Sequence, residues 1–185
     1  MDLGLKDKHV LITGGSKGIG FDCAKIFLEE GAKVSLISRS MDTLKIAQQK
    51  LNAGDRVAIF SADLIARDQV ANSIAQIESQ MGAIDVLVNS AGAARRTPAL
   101  ELTEASWHDA MDAKYFTYIH AMNAVLPLMA KRKTGVVVNV IGMGGKMATT
   151  IHIAGGAANA ALMLATAGLG QAYAPHGVRV VGVNP

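Results

Sequence analysis

The 185-residue sequence predicts one α/β domain over residues 1–185, a doubly wound parallel sheet with helices on both faces. Three observations predict it. Short apolar runs take turns with longer segments of helical spacing along the chain. The apolar runs do not alternate with polar residues, so each is buried on both faces, as strands are when crossover helices cover a parallel sheet. Half the residues are hydrophobic and 18% are charged. That composition supports a real core and excludes a disordered chain.

The elements follow in order. His9–Thr13 is an apolar strand, and Ile19–Glu30 is the helix after it. Lys33–Ser38 is a second strand, followed by a helix over Asp42–Asn52. Val57–Ser61 is the third strand. Val70, Ile74 and Ile77 give Ala66–Met81 helical spacing. Ile84–Asn89 is the fourth strand. Glu104–Arg132 reads as one long helix, opened by a Thr103 cap and kinked by Pro127. Val136–Ile141, a β-branched run, is the fifth strand. The Ala-rich helix Ile153–Tyr173 and the strand Val178–Val183 complete the pattern. The segment that would follow the sixth strand and shape a ligand cleft is expected beyond Pro185.

Met147 to Val178 contains no Asp, Glu, Lys or Arg. Its length suits a bilayer span, but Gly, Thr, His152, Asn159, Gln171 and Pro175 make its hydrophobicity too low. A helix buried on all sides, at a subunit interface, is the expectation. The net charge of +3 is spread along the chain, so no nucleic-acid footprint is expected. The one cysteine, Cys23, excludes an internal disulfide and reads as a small core residue. The N-terminus lacks the apolar stretch of a signal peptide, which points to the cytoplasm. No metal site is expected.

Thr13-Gly14-Gly15-Ser16-Lys17-Gly18-Ile19-Gly20 joins the first strand to the first helix. Glycine lets the backbone turn tightly and approach a phosphate closely. The helix N-terminus behind it offers free N–H groups and a partial positive charge. A glycine cluster between a buried strand and a helix is therefore a phosphate cradle, of Rossmann type. Where the second strand ends, an acid would bond a ribose 2′-hydroxyl and select NAD; an arginine would take a 2′-phosphate. Ser38 stands in the acid's place, Arg39 follows it, and Lys17 adds a cation from the loop. NADP(H) is expected over NAD(H).

The Thr-Gly-x-x-x-Gly-x-Gly spacing resembles the short-chain dehydrogenase/reductase family, and the resemblance covers the whole chain. Asp63, with Leu64 after it, matches the acid that bonds the adenine in that family. Asn89-Ser90-Ala91-Gly92 resembles its Asn-Asn-Ala-Gly turn. Gly135 through Asn139 resembles its fifth strand, and Val183-Asn184-Pro185 the start of its Asn-Pro-Gly segment. The resemblance implies dinucleotide contacts from Thr13, Gly14, Ser16, Lys17, Gly18, Ile19, Gly20, Ser38, Arg39, Asp63, Leu64, Asn89, Ala91 and Gly92. It also implies a dimer or tetramer.

The family transfers hydride between nicotinamide and a carbonyl or alcohol carbon. A Tyr exchanges the proton, a Lys four residues later tunes it, a Ser orients the carbonyl, and an Asn supports a water path. Here those positions fall on Gly155, Asn159, Gly142 and Lys114. The departure predicts weak or absent ordinary ketone reduction, because positioned acid–base groups contribute roughly 10²–10⁴ in rate. Gly142 and Gly155 are expected to widen the site. Lys114, reaching the cleft from its helix, and His152, three residues before the Tyr position, are the replacement candidates; each also reads as an ordinary structural residue. Arg95, Arg96 and Lys146 read as solvated loop charge that together would suit an anionic small-molecule substrate. Three functions remain open: an NADP(H)-dependent oxidoreductase with a non-standard active site, a non-catalytic NADP(H)-binding sensor or partner subunit, and a structural oligomer-former.

Overall fold

The computed structural model describes residues 2–92 and 94–185. Six strands form one parallel sheet in the order β3-β2-β1-β4-β5-β6. They are β1 (His9–Thr13), β2 (Lys33–Ser38), β3 (Val57–Ser61), β4 (Val86–Asn89), β5 (Gly135–Val140) and β6 (Val178–Val183). All neighbouring pairs are parallel. The order reverses between β1 and β4, and the crevice outside the strand ends at such a switch point is where ligands bind in open α/β sheets.

Helices α1 (Gly18–Glu29), α2 (Met41–Leu51) and α3 (Arg67–Met81) connect the first four strands. Two apolar clusters pack on the opposite sheet faces. Val10, Ile12, Val34 and Leu36 point one way, against Ala24, Leu28, Leu44 and Ala47. Leu11, Ile37, Leu87 and Val137 point the other, against α3 and the long helical segment after β4. Alternate residues of one strand thus feed both cores, which is why the runs show no polar alternation. Strand and helix ends differ from expectation by at most two residues, the largest difference being at β4, which begins at Val86 and not at Ile84. Asp85 uses its backbone to bridge β1 and β5 instead, donating to the His9 carbonyl and accepting from Val136.

Two expectations need correction. The segment 104–132 is not one α-helix kinked at Pro127. It is α4 (Glu104–Ala110), a π-helical stretch over Met111–Phe116, and α5 (Thr117–Arg132). Thr103 does cap it, in a reciprocal capping box with Ser106. Pro127 lies inside α5, and the irregularity sits upstream, at the wide turn. The second correction concerns α6 (Ile153–Tyr173). It is buried along one face, through Ala154, Ala158, Leu162 and Thr166. Its other face is open, and Leu164 stands 77% exposed. Its most apolar window reaches a mean hydropathy of 1.4, so on length and composition it does qualify as a span. Its position as the crossover from β5 to β6 makes it a sheet-covering helix.

Candidate functional site

The C-terminal ends of the strands bring most of the singled-out residues to one edge of the sheet. Thr13 ends β1, Ser38 ends β2 and Asn89 ends β4. The loop after β1 turns at Gly14, whose φ is +68°, and a Cβ there would lie 2.8 Å from the Ala91 Cα. Only glycine allows both the turn and this contact between the two loops of the switch point. Gly20, buried at the start of α1, would carry its Cβ 2.6 Å from the Gly14 carbonyl oxygen. Gly18, by contrast, faces open space. Lys17 is the N-cap of α1 and is exposed, as are Gly18 and Ile19; Ser16 is partly buried. No acidic residue occupies the first turn of α1, so its N–H groups face the crevice uncompensated.

A chain of buried hydrogen bonds locks this edge. The Ser90 and Ala91 amides donate to the Thr13 hydroxyl at 3.1 and 3.2 Å. That hydroxyl donates to the Asn89 carboxamide at 3.3 Å, and Asn89 Nδ2 donates to Asn139 Oδ1 at 2.9 Å. Asn139 Nδ2 donates in turn to the Thr166 hydroxyl at 2.9 Å. One polar thread therefore joins β1, β4, β5 and α6. Sequence reasoning places Asn139 in the fifth strand but assigns it no role and does not single out Thr166; an Asn inside the β-branched run Val136–Val140 is the available signal, because a buried amide requires partners.

At the end of β2 the Ser38 hydroxyl is buried with no hydrogen-bond partner among the described residues. Arg39 beside it is exposed, and no carboxylate pairs with it or with Lys17 among the described residues. Asp63 folds back on its own loop, accepting from the Ile65 amide at 3.1 Å. Leu64 is buried, and its carbonyl accepts from His120 Nδ1 at 3.0 Å.

Beyond β5, along the same edge, lies a cavity of about 590 Å³. Gly92, whose φ is +105°, sits at its wall against the π-helical stretch. From that stretch Lys114 enters the wall and is buried. Its ammonium donates to the Tyr118 hydroxyl at 2.9 Å and to the Val140 carbonyl at 3.0 Å. Burial holds the Lys114 pKa down to about 8. Two of its three N–H donors are used; the third remains. Tyr118 is fully buried, burial pushes its phenol up, and its proton is given to the Val140 carbonyl. It is no acid for the cavity.

Gly155 does not widen the cavity as expected. A Cβ at Gly155 would land inside the His152 imidazole. The ring fills the volume that the missing side chain leaves, with Gly144 on another side, where a Cβ would be 3.2 Å from His152 Cδ2. Gly142, with φ +118°, is partly buried, and a Cβ there would meet only the Asn159 amide at 3.4 Å. His152 stands at the N-cap position of α6 without a side-chain capping bond, and a short parallel bridge ties it to Thr97, so the loop carrying Arg96 is held beside it. His152 Nδ1 and Asn159 Oδ1 are both buried without a partner among the described residues. Lys114, His152, Gly155, Asn159 and Arg96 thus line one cavity; Arg95 and Lys146 do not.

The short-chain dehydrogenase model matches residues 8–185. The chain belongs to that family. Gluconate 5-dehydrogenase of Gluconobacter oxydans is 31% identical over 182 residues, covering 98% of this chain and 71% of that protein. A short-chain oxidoreductase of Pseudomonas aeruginosa, solved with NADPH and containing an atypical catalytic centre, superposes with a TM-score of 0.91 at 29% identity. That match covers 97% of this chain and 72% of the other. L-sorbose reductase of Gluconobacter frateurii, complexed with NADPH and L-sorbose, superposes at 0.94 with 27% identity, over 100% of this chain and 71% of that one.

Proposed function

We propose that this short-chain dehydrogenase is an NADP(H)-dependent oxidoreductase of small carbonyl or alcohol substrates, working through a non-standard active site. One observation carries the reading: a phosphate cradle of glycines at the switch point runs along a single sheet edge into a cavity walled by a buried ammonium. The residues fit the dinucleotide. Gly18 leaves open space where a phosphate approaches, the α1 N-terminus is uncompensated, and the buried Ser38 hydroxyl lacks a partner that a 2′-phosphate oxygen would supply. Arg39 and Lys17 are free to pair with that phosphate, and no acid stands at the end of β2 to repel it. The bound nicotinamide supplies or accepts hydride.

The chain's own residues must orient the substrate oxygen and exchange its proton. With Gly142, Gly155 and Asn159 at the positions where the family places Ser, Tyr and Lys, this work falls to two groups of the cavity wall. The Lys114 ammonium stabilises negative charge growing on the oxygen through its unused N–H. The His152 imidazole exchanges the proton from the slot beside Gly155. In the second reading the protein binds NADP(H) without turnover, and the same three positions favour it. The exposed apolar face of α6 supports a dimer or tetramer, and the family resemblance supports a cytoplasmic protein without nucleic-acid partners.

Calorimetric titration is expected to give at least about tenfold tighter NADPH than NADH, or roughly 1.4 kcal/mol. Arg39→Asp is expected to erase or invert that preference. Equal affinities in the unaltered protein would sink the NADP(H) assignment. Turnover of any member of a carbonyl and alcohol panel decides for the enzyme; saturable NADPH binding without any turnover decides for the second reading.

A further inference from the structure

The Lys114 ammonium is buried in the cavity wall, and both its hydrogen-bond partners, a phenol and a peptide carbonyl, are neutral. No carboxylate lies within ion-pair distance of it among the described residues. A buried ion left without a counter-charge costs several kcal/mol. At the mouth of the same cavity Arg96 is exposed and equally without a carboxylate partner among the described residues. The wall contains no Asp or Glu. The N-terminus of the 21-residue α6 opens on it, with no acidic residue in its first turn and no side chain capping it. Every fixed charge and helix dipole at this cavity therefore has the same sign, and low-dielectric walls concentrate that potential. The unpartnered His152 Nδ1 and Asn159 Oδ1 add polar atoms that a ligand's own groups would satisfy.

We infer that the cavity takes a carbonyl compound bearing a carboxylate or phosphate group, with Lys114 and Arg96 as its counter-ions. The inference rests on the oxidoreductase reading for the carbonyl and on the cavity's charge for the anion. The anion's charge lies in the field of the buried ammonium, whose one free N–H stays on the carbonyl oxygen, while Arg96 meets the anion directly from the mouth and draws it in. A neutral ketone of the same shape gains neither interaction.

Two matched pairs test it by calorimetry, with and without saturating NADPH: 2-oxobutyrate against 2-oxobutyramide, and dihydroxyacetone phosphate against dihydroxyacetone. The expected result is binding at least about tenfold tighter for the anion of one pair, an advantage that shrinks as salt is added. The pair that shows it tells carboxylate from phosphate. Arg96→Gln and Lys114→Met are each expected to bring that pair close to equality. No anion preference in either pair, including no binding at all, overturns the inference, as does a preference that survives both substitutions. If Lys114→Met fails to fold, Arg96→Gln decides alone. NADPH binding, read separately by its fluorescence, distinguishes the failures: its loss counts against the dinucleotide reading, whereas its persistence without an anion preference counts against the anionic substrate only.

Discussion

The switch-point crevice and the cavity beyond β5 share one sheet edge but are built on opposite principles. At the floor of the crevice, across the ends of β1, β4 and β5, the protein satisfies itself. Thr13, Asn89, Asn139 and Thr166 pass hydrogen bonds from strand to strand, and Gly14 lies against Ala91 with no room between them. At the cavity the protein leaves charge and polar atoms unanswered: the Lys114 ammonium, His152 Nδ1 and Asn159 Oδ1. A self-satisfied region gives up stability when altered. A region holding uncompensated charge gives up function instead, and gains stability when that charge is removed.

Gly14→Val tests the first half. It forces a β-branched residue to φ +68° and drives its Cβ into the Ala91 backbone. The expected loss is about 4 kcal/mol by denaturant unfolding, from backbone strain and overpacking together. An unchanged unfolding midpoint would show that the contact between the two loops is not tight.

Lys114→Met tests the second half, with the opposite sign. The Lys114 pKa falls from 10.5 in the unfolded chain to about 8 in the fold. Below pH 8 both states hold the proton and the fold bears the whole cost of the buried charge. Between pH 8 and 10.5 the native state releases the proton first, so stability rises with pH across that window. The substitution is therefore expected to stabilise the protein at pH 7 by as much as ~3 kcal/mol, with the gain fading above pH 8. It is also expected to abolish any turnover. The other titratable or charged groups at this site are Tyr118, whose phenol burial pushes up, Arg96 at the mouth and His152 across the cavity. Destabilisation at pH 7 would mean that the ammonium is compensated after all.

The smallest expected effect lies away from both regions. Leu164→Glu, on the open face of α6, is expected to change unfolding by no more than about 0.5 kcal/mol in the monomer. Light scattering is expected to show the proposed dimer or tetramer dissociating, because a charge in a helix interface lacks a partner. A monomeric unaltered protein at micromolar concentration would refute the α6 interface.

The sequence shows the sheet plainly because burial on both faces leaves unbroken apolar runs such as Val10–Ile12, which no surface strand tolerates. It shows the glycine loop because Gly14 and Gly20 answer backbone contacts that any side chain would break. It does not show the wide turn at Met111–Phe116, since apolar spacing on either side looks continuous and Pro127 draws attention to the wrong place. Nor does it show His152 filling the space at Gly155. Removing a side chain reads as added room, and only the packed structure reveals which neighbour moves in. The open face of α6 is hidden for a similar reason: an uncharged helix looks wholly buried until the sheet is seen to cover only one side.

The wide turn at Met111–Phe116 acts as a phase setter between two helices. A turn that closes its hydrogen bonds over five residues instead of four holds one residue more than an α-turn. Losing that residue would restore the ordinary period and swing everything on one side of it by about 100°. Ala121, Val125 and Met129 could keep their places in the core only if Lys114 rotated off the cavity wall. The side chain offered to the ligand is thus chosen by a residue count and not by the rigid helix that follows. Single insertions or deletions here would exchange that side chain for a neighbour and leave the sheet and its glycine cradle untouched.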